Sequence, residues 1–146
     1  MTTLVADQLG SDPLEQAIVL YRDHDLAGIR PSLYFHNLPA GTFYLRIYQD
    51  GVSIKEYTFT SASARAAIGT PHNYFWVDLA LSGRCRLSSG EYIIKLESTG
   101  YTSSYSSAVM WLKDWTSLRS DCIDTVVNFT EHPFSFNLIE YREREF

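Results

Sequence analysis

From Ser32 onward the chain alternates apolar and polar positions with a period of two, the spacing that places every second side chain on one face of a β-strand. Residues 42–49 show the pattern clearly, with Phe43, Leu45 and Ile47 on one face and Tyr44, Arg46 and Tyr48 on the other. Asp50-Gly51 follows. Both central positions of a type I′ turn need positive φ, so this pair predicts a tight hairpin returning along 52–60. Residues 61–68, a serine cap followed by small, strong helix formers, predict a short helical turn that Gly69-Thr70-Pro71 ends. Residues 73–81 predict another strand, with Phe75, Val77, Leu79 and Leu81 on its apolar face and Tyr74, Trp76 and Asp78 opposite. Residues 91–97 repeat the alternation with Tyr92, Ile94 and Leu96 inward. A Ser/Tyr-rich loop over 100–107 leads into an apolar strand at 108–112. Residues 116–125 read as a polar loop, 126–129 as a short strand, and 134–141 as the last alternating segment. Strands and turn signals at this spacing predict an all-β chain, an antiparallel β-sandwich or jelly roll, with 17–146 as a single domain.

The first thirty residues carry two signals. Asp12-Pro13-Leu14-Glu15 has the N-cap, the N1 proline and the first-turn acid of a helix start. Ala17 to Tyr21 is rich in β-branched residues and reads as a strand. The expectation is an N-terminal arm over 1–16, with at most one helical turn, followed by a strand; a helix through 12–25 is the other reading. An internal echo is also present. Leu38 to Gly51 aligns without gaps on Leu87 to Gly100, matching Leu38 with Leu87, Gly41 with Gly90 and Gly51 with Gly100, and pairing Phe43 with Tyr92 and Arg46 with Lys95. Either two similar strands begin in the same way, or a half-sandwich was duplicated.

Composition narrows the function classes. The 146 residues are 45% hydrophobic, which is too apolar for a disordered chain. Twelve Lys and Arg stand against 17 Asp and Glu, a formal charge of −5, and the basic residues are scattered, so no nucleic-acid partner is expected. No segment reaches the apolar length of a membrane span, and Met1 to Asp7 has neither a basic n-region nor an apolar core, so folding in the cytoplasm without membrane attachment is the expectation. Cys85 and Cys122 are too few and too far apart for a disulfide framework; two reduced thiols are expected first, one late bridge second. His24, His36, His72 and His132 show no ligand spacing, and the phosphate-loop, nucleophile-elbow and zinc-protease motifs are missing. No catalytic residue, metal or cofactor is therefore assigned.

Aromatic residues, at 14%, are the richer lead. Tyr101, Tyr105 and Trp115 beside Asp114, together with the outward Trp76, are the types a sugar site needs: a ring face for the C–H face of a pyranose and polar neighbours for its hydroxyls. The same residues suit a protein interface or ordinary loop packing. Trp111 reads first as core. Arg46 and Arg30 with Tyr44 and Tyr48 make a second candidate contact face on the first hairpin. At the C-terminus, Arg142 and Arg144 alternate with Glu143 and Glu145; such charges either blunt a sheet edge or pair with a neighbouring subunit.

Leu87, Gly90, Tyr92, Ile94 and Leu96, the run Tyr74 to Leu79, and the ending Pro133 to Tyr141 together resemble β-sandwich virion proteins of tailed bacteriophages. That group decorates capsids or belongs to tails, and many members share a jelly-roll architecture with carbohydrate-binding modules. The likeness covers roughly residues 32–142. It implies a non-enzymatic building block, made in the bacterial cytoplasm and destined for the virion, where a homo-oligomer that contacts other virion proteins is the expectation. The arm would drape over a neighbour, and sheet edges would be covered by symmetry mates. The alternative expectation is a carbohydrate-binding module recognising host-surface or environmental glycans.

Overall fold

In the computed structural model, which describes residues 5–68, 77–104, 107–113, 125–127 and 136–141, the alternating segments form antiparallel strands in two sheets with one short helix. The elements are β1 (Val5–Gln8), β2 (Leu14–Leu20), β3 (His24–His36), β4 (Thr42–Gln49), β5 (Val52–Phe59), α1 (Ser61–Ile68), β6 (Val77–Asp78), β7 (Leu81–Leu87), β8 (Gly90–Thr99), β9 (Ala108–Lys113), β10 (Thr125–Val127) and β11 (Phe136–Glu140). One sheet runs β10-β2-β8-β4-β5. The other is organised on β3, with β9 and its neighbour β1, β11, β6 and β7 all joined through it. Ile18, Leu45, Ile47, Ile94 and Leu96 from the first sheet pack with Ile29, Leu33, Trp111 and Leu138 from the second, and all are fully buried. Each such side chain contributes about 1.5–3 kcal/mol by leaving water. The all-β sandwich expected from the periodicity is what forms.

The N-terminal arm is a correction. Residues 5–8 pair with β9, Leu9 is buried, and β2 begins at Leu14 and pairs along its whole length with β8. Alternation decides the matter: Gln16, Ile18 and Leu20 point into the core while Glu15, Ala17 and Val19 point out. Inward positions every second residue outweigh the helix-start signal at Asp12-Pro13, which falls in the turn before the strand.

β3 shows why one expected strand is broken and another was unread. In the register that joins β3 to both β6 and β7, Leu79 falls opposite Pro31, and its N–H donates to the Pro31 carbonyl at 3.0 Å. Proline has no N–H to return, so the ladder lapses at 79–80 and the expected strand through Leu81 ends at Asp78. Pairing resumes as β7 over Leu81–Leu87, a Ser/Gly/Arg stretch that carries little strand signal. Gly28 makes this close approach possible: a Cβ there would lie 2.2 Å from the Leu81 carbonyl oxygen, beside a bulge between Leu26 and Gly28.

Helix α1 is capped one residue earlier than its sequence suggests. The Thr60 hydroxyl accepts from the Ser63 N–H at 3.1 Å while the Ser63 hydroxyl accepts from the Thr60 N–H at 2.8 Å, a reciprocal cap. Ser61 instead donates to the Pro39 carbonyl at 2.8 Å and is buried.

The internal echo has a geometric counterpart. β4 and β8 are hydrogen-bonded neighbours, and Arg46, aligned with Lys95 in the echo, also faces Lys95 across the ladder. A local pseudo-twofold therefore passes through this pair. The four echo glycines all have positive φ: 114° at Gly41, 148° at Gly90, 78° at Gly51 and 68° at Gly100. With Asp50 at φ 50°, the expected tight turn at 50–51 is in place.

Candidate functional site

Strand register assembles a charged and aromatic face on the outside of the five-stranded sheet. Tyr44, Arg46 and Tyr48 project outward from β4, as their alternation with buried Phe43, Leu45 and Ile47 requires. Pairing sets Glu15, Lys95, Arg46 and Glu56 in one row across β2, β8, β4 and β5. The Arg46 guanidinium donates to Glu56 through Nε at 2.8 Å, lies 2.7 Å from the same carboxylate through Nη2, and reaches Glu97 at 3.4 Å. It also sits 4.2 Å above the Tyr44 ring, whose hydroxyl is 3.1 Å from Thr99 Oγ1. The Tyr48 hydroxyl donates to the other Glu97 oxygen at 2.5 Å. That hydrogen bond holds the Tyr48 phenol above its ordinary range, with burial and the carboxylate charge adding to it. Lys95 bonds Glu15 at 3.1 Å and lies 4.7 Å over the Tyr48 ring. Its pKa is raised chiefly by the hydrogen bond to Glu15.

The adjoining row, Ala17, Ile93 and Tyr48, is apolar. It forms the floor of an open cleft of 360 Å³ bounded by Lys95 on one side and by Asp50 and Glu91 on the other. Of the residues around this cleft, sequence reading singled out Tyr48 and missed Ile93, Lys95, Asp50 and Glu91. The inward assignment of Tyr92, Ile94 and Leu96 already implied that 91, 93, 95 and 97 point out. What was missing was the knowledge that β8 lies beside β4.

Tyr101 has a different setting. Its ring packs edge-on against Phe43 at 5.2 Å, and its hydroxyl donates to the Leu9 carbonyl at 2.9 Å and accepts from the Val109 N–H at 3.1 Å. Leu9 N–H closes the ring by donating to the Val109 carbonyl at 2.8 Å. In the β1–β9 register Leu9 comes opposite Val109, so the hydroxyl occupies the place of the second ladder bond where the strands part. Burial pushes the Tyr101 phenol up, and the hydrogen bond from Val109 opposes it. The hydroxyl is thus spent on two backbone groups, and the partly buried ring packs against the core.

The remaining candidates separate. Arg30 lies on β3, in the opposite sheet, and does not join Arg46. Trp111 is fully buried against Phe136. Trp76, Tyr105, Asp114, Trp115, Arg142, Arg144 and Cys122 lie outside the described residues. Cys85 is a free, half-buried thiol whose pKa burial pushes up, with the Lys55 charge opposing. Among the described residues no three His, Cys, Asp or Glu side chains gather in a way that could hold a metal ion. No protein-family model matches this chain, and no curated protein or solved structure matches it, so the fold and this outer face are the ground on which its function is argued.

Proposed function

We propose that the chain is a non-enzymatic structural protein of a tailed-bacteriophage particle, of the capsid-decoration or tail-accessory kind, located in the virion after synthesis in the bacterial cytoplasm. It assembles with copies of itself and with other virion proteins through one end of the sandwich and the neighbouring open strand edge. The supporting observation is where exposed apolar surface lies. Tyr21 and Val52 are 65% and 63% exposed, and Ile54 and Tyr141 are also exposed. All four sit toward the end that carries the turns at 21–23, 50–51 and 88–89: Leu20 pairs with Gly90, His24 with Leu87, and Tyr141 donates its N–H to Asp25. Val52 and Ile54 belong to β5, an end strand of its sheet among the described residues. Apolar side chains gathered at an open edge are the surface of a protein that buries them against a partner. The resemblance to virion sandwiches supplies the kind of assembly.

The test is sedimentation equilibrium of the full chain beside Val52→Asp/Ile54→Asp, together with mass spectrometry of gradient-purified particles from the source. A defined oligomer that the double variant dissociates, from a chain that bands with capsid or tail proteins, supports the reading. A chain that stays monomeric and never bands with particles overturns it. Side-chain substitution is the right tool because truncation at residue 16 would remove β1 and part of β2.

A further inference from the structure

The geometry points to a saccharide-binding site in the cleft over β2, β8 and β4, with Ala17, Ile93 and Tyr48 as the floor for a sugar ring and Asp50, Glu91 and Lys95 as the groups that fix its hydroxyls. This goes beyond assembly and falls on a different surface from the aromatic loop that the sequence suggested. Three observations carry it. The cleft measures 360 Å³, within the size range of small-ligand sites. Its floor is apolar and accessible, since Ile93 is 38% exposed between Ala17 and Tyr48 in the same row. Its two walls have opposite hydrogen-bonding character, carboxylate acceptors at Asp50 and Glu91 and an ammonium donor at Lys95.

A ligand for such a cleft needs a compact apolar face and polar groups that donate to one wall and accept from the other. Hydroxyls do both, and a pyranose carries several around a ring whose C–H face is apolar. Asp50 and Glu91 enter no ion pair among the described residues, so their lone pairs are available to vicinal hydroxyls. Lys95 has three donors and places one on Glu15 at 3.1 Å, leaving others for the cleft. An anionic ligand would face two carboxylates, a penalty that a neutral sugar does not meet. The walls are also well held. Asp50 is fixed by the left-handed turn at φ 50°, and Lys95 is held between Glu15 and the Tyr48 ring.

The experiment is a titration of the 15N-labelled full chain with methyl glycosides of glucose, galactose, mannose, rhamnose and N-acetylglucosamine, each into the tens of millimolar. For a single ring the expected dissociation constant is on the order of 1 mM or weaker. Amide shifts should concentrate at Ala17, Asp50, Gly51, Glu91, Ile93 and Lys95 for at least one glycoside. Asp50→Asn keeps a side chain that tolerates the left-handed turn, and Glu91→Gln is isosteric, so both should leave the melting temperature in place while each weakens binding roughly tenfold. Failure of every glycoside to shift these amides overturns the proposal. So do shifts centred on 101–104, or binding that both variants leave unchanged. Loss of oligomerisation bears only on the assembly reading, so the two fail separately.

Discussion

The two ends of the sandwich use aromatic and aliphatic side chains in opposite ways. At one end Phe35, Phe43 and Phe59 pack ring to ring with centroids 5.7–6.2 Å apart, and Tyr101 joins them at 5.2 Å. Its hydroxyl then closes the gap between Leu9 and Val109. At the other end Tyr21, Val52 and Ile54 face solvent. Tyr48, near this end, keeps its hydroxyl on a surface carboxylate. Composition does not separate the two ends. What separates them is whether the strand face or loop that bears the residue turns toward the opposite sheet, and whether a buried backbone group is waiting for the hydroxyl. The closed end supplies stability, and the open end is where the proposed assembly contacts would form.

If that division is right, the largest loss of stability comes from the closed end. Tyr101→Phe keeps the ring but leaves the Val109 N–H and the Leu9 carbonyl without the bridging hydroxyl. A destabilisation of about 2 kcal/mol is expected in urea unfolding, with little change in the slope. A cost below about 0.5 kcal/mol would show that water or a local shift repairs the gap, and the closed end would lose its distinction.

Tyr57 sharpens the comparison along the pH axis. It joins the edges of the two sheets by donating to the Gly83 carbonyl at 2.9 Å, and burial, with the nearby Cys85 adding, pushes its phenol from 10.0 up to about 12. Below pH 10 the phenol is protonated in both the folded and the unfolded chain. Between pH 10 and about 12 only the unfolded chain gives up the proton, so stability falls as pH rises. After discounting for solvent at the sheet edge, the loss is about 1–2 kcal/mol. Tyr57→Phe should flatten this alkaline decline, read from urea unfolding at pH 9 and pH 11.

Much of the fold was legible because period-two alternation is a local signal and survives into structure wherever one face is buried. Phe43 to Ile47 and Tyr92 to Leu96 needed nothing beyond their own sequence. β1 and β7 were illegible for the opposite reason. Residues 81–87 become a strand because β3 presents a free ladder beyond Pro31, and residues 5–8 because β9 does the same for them. The contact face divides likewise. Arg46, Tyr44 and Tyr48 could be read from one strand, but the cleft requires Ala17, Asp50, Glu91, Ile93 and Lys95 from two neighbouring strands and a turn. Loop packing was one of the readings open for Tyr101, but the backbone groups its hydroxyl serves belong to residues 9 and 109, far away in sequence.

On the open face, removing an ion pair should matter less than removing the Tyr101 hydroxyl. Arg46 is the best-connected cation there, yet its side chain and that of Glu97 are each 23% exposed, and Glu56 is 45% exposed. Arg46→Met, which keeps the apolar stem over Tyr44, should cost about 0.5–1 kcal/mol. A double-mutant cycle with Glu97→Gln should return a coupling of about 0.5 kcal/mol. A cost for Arg46→Met equal to that of Tyr101→Phe would break the comparison, because the outer row would then be structural rather than available.

The smallest effect belongs to Asp25 and Arg84 beside Tyr141. Arg84 donates to both Asp25 oxygens, at 3.2 Å through Nε and 2.7 Å through Nη2, and its guanidinium lies 4.0 Å over the Tyr141 ring. That hydrogen bonding, with the Arg84 and Arg86 charges adding and burial opposing, holds the Asp25 carboxyl below its ordinary 3.8. Because the folded pKa is the depressed one, the contribution is complete above 3.8 and drains away as pH falls through the lower folded value. The pair is open to solvent, with Arg84 59% and Asp25 33% exposed, so the acid-side slope should be shallow and should shrink further in high salt. Arg84→Gln should remove that slope, measured as melting temperature between pH 5 and pH 2, and leave stability at neutral pH nearly unchanged. A large neutral-pH loss would mean that Arg84, packed on Tyr141, holds β11 against β3 rather than merely lining the open end.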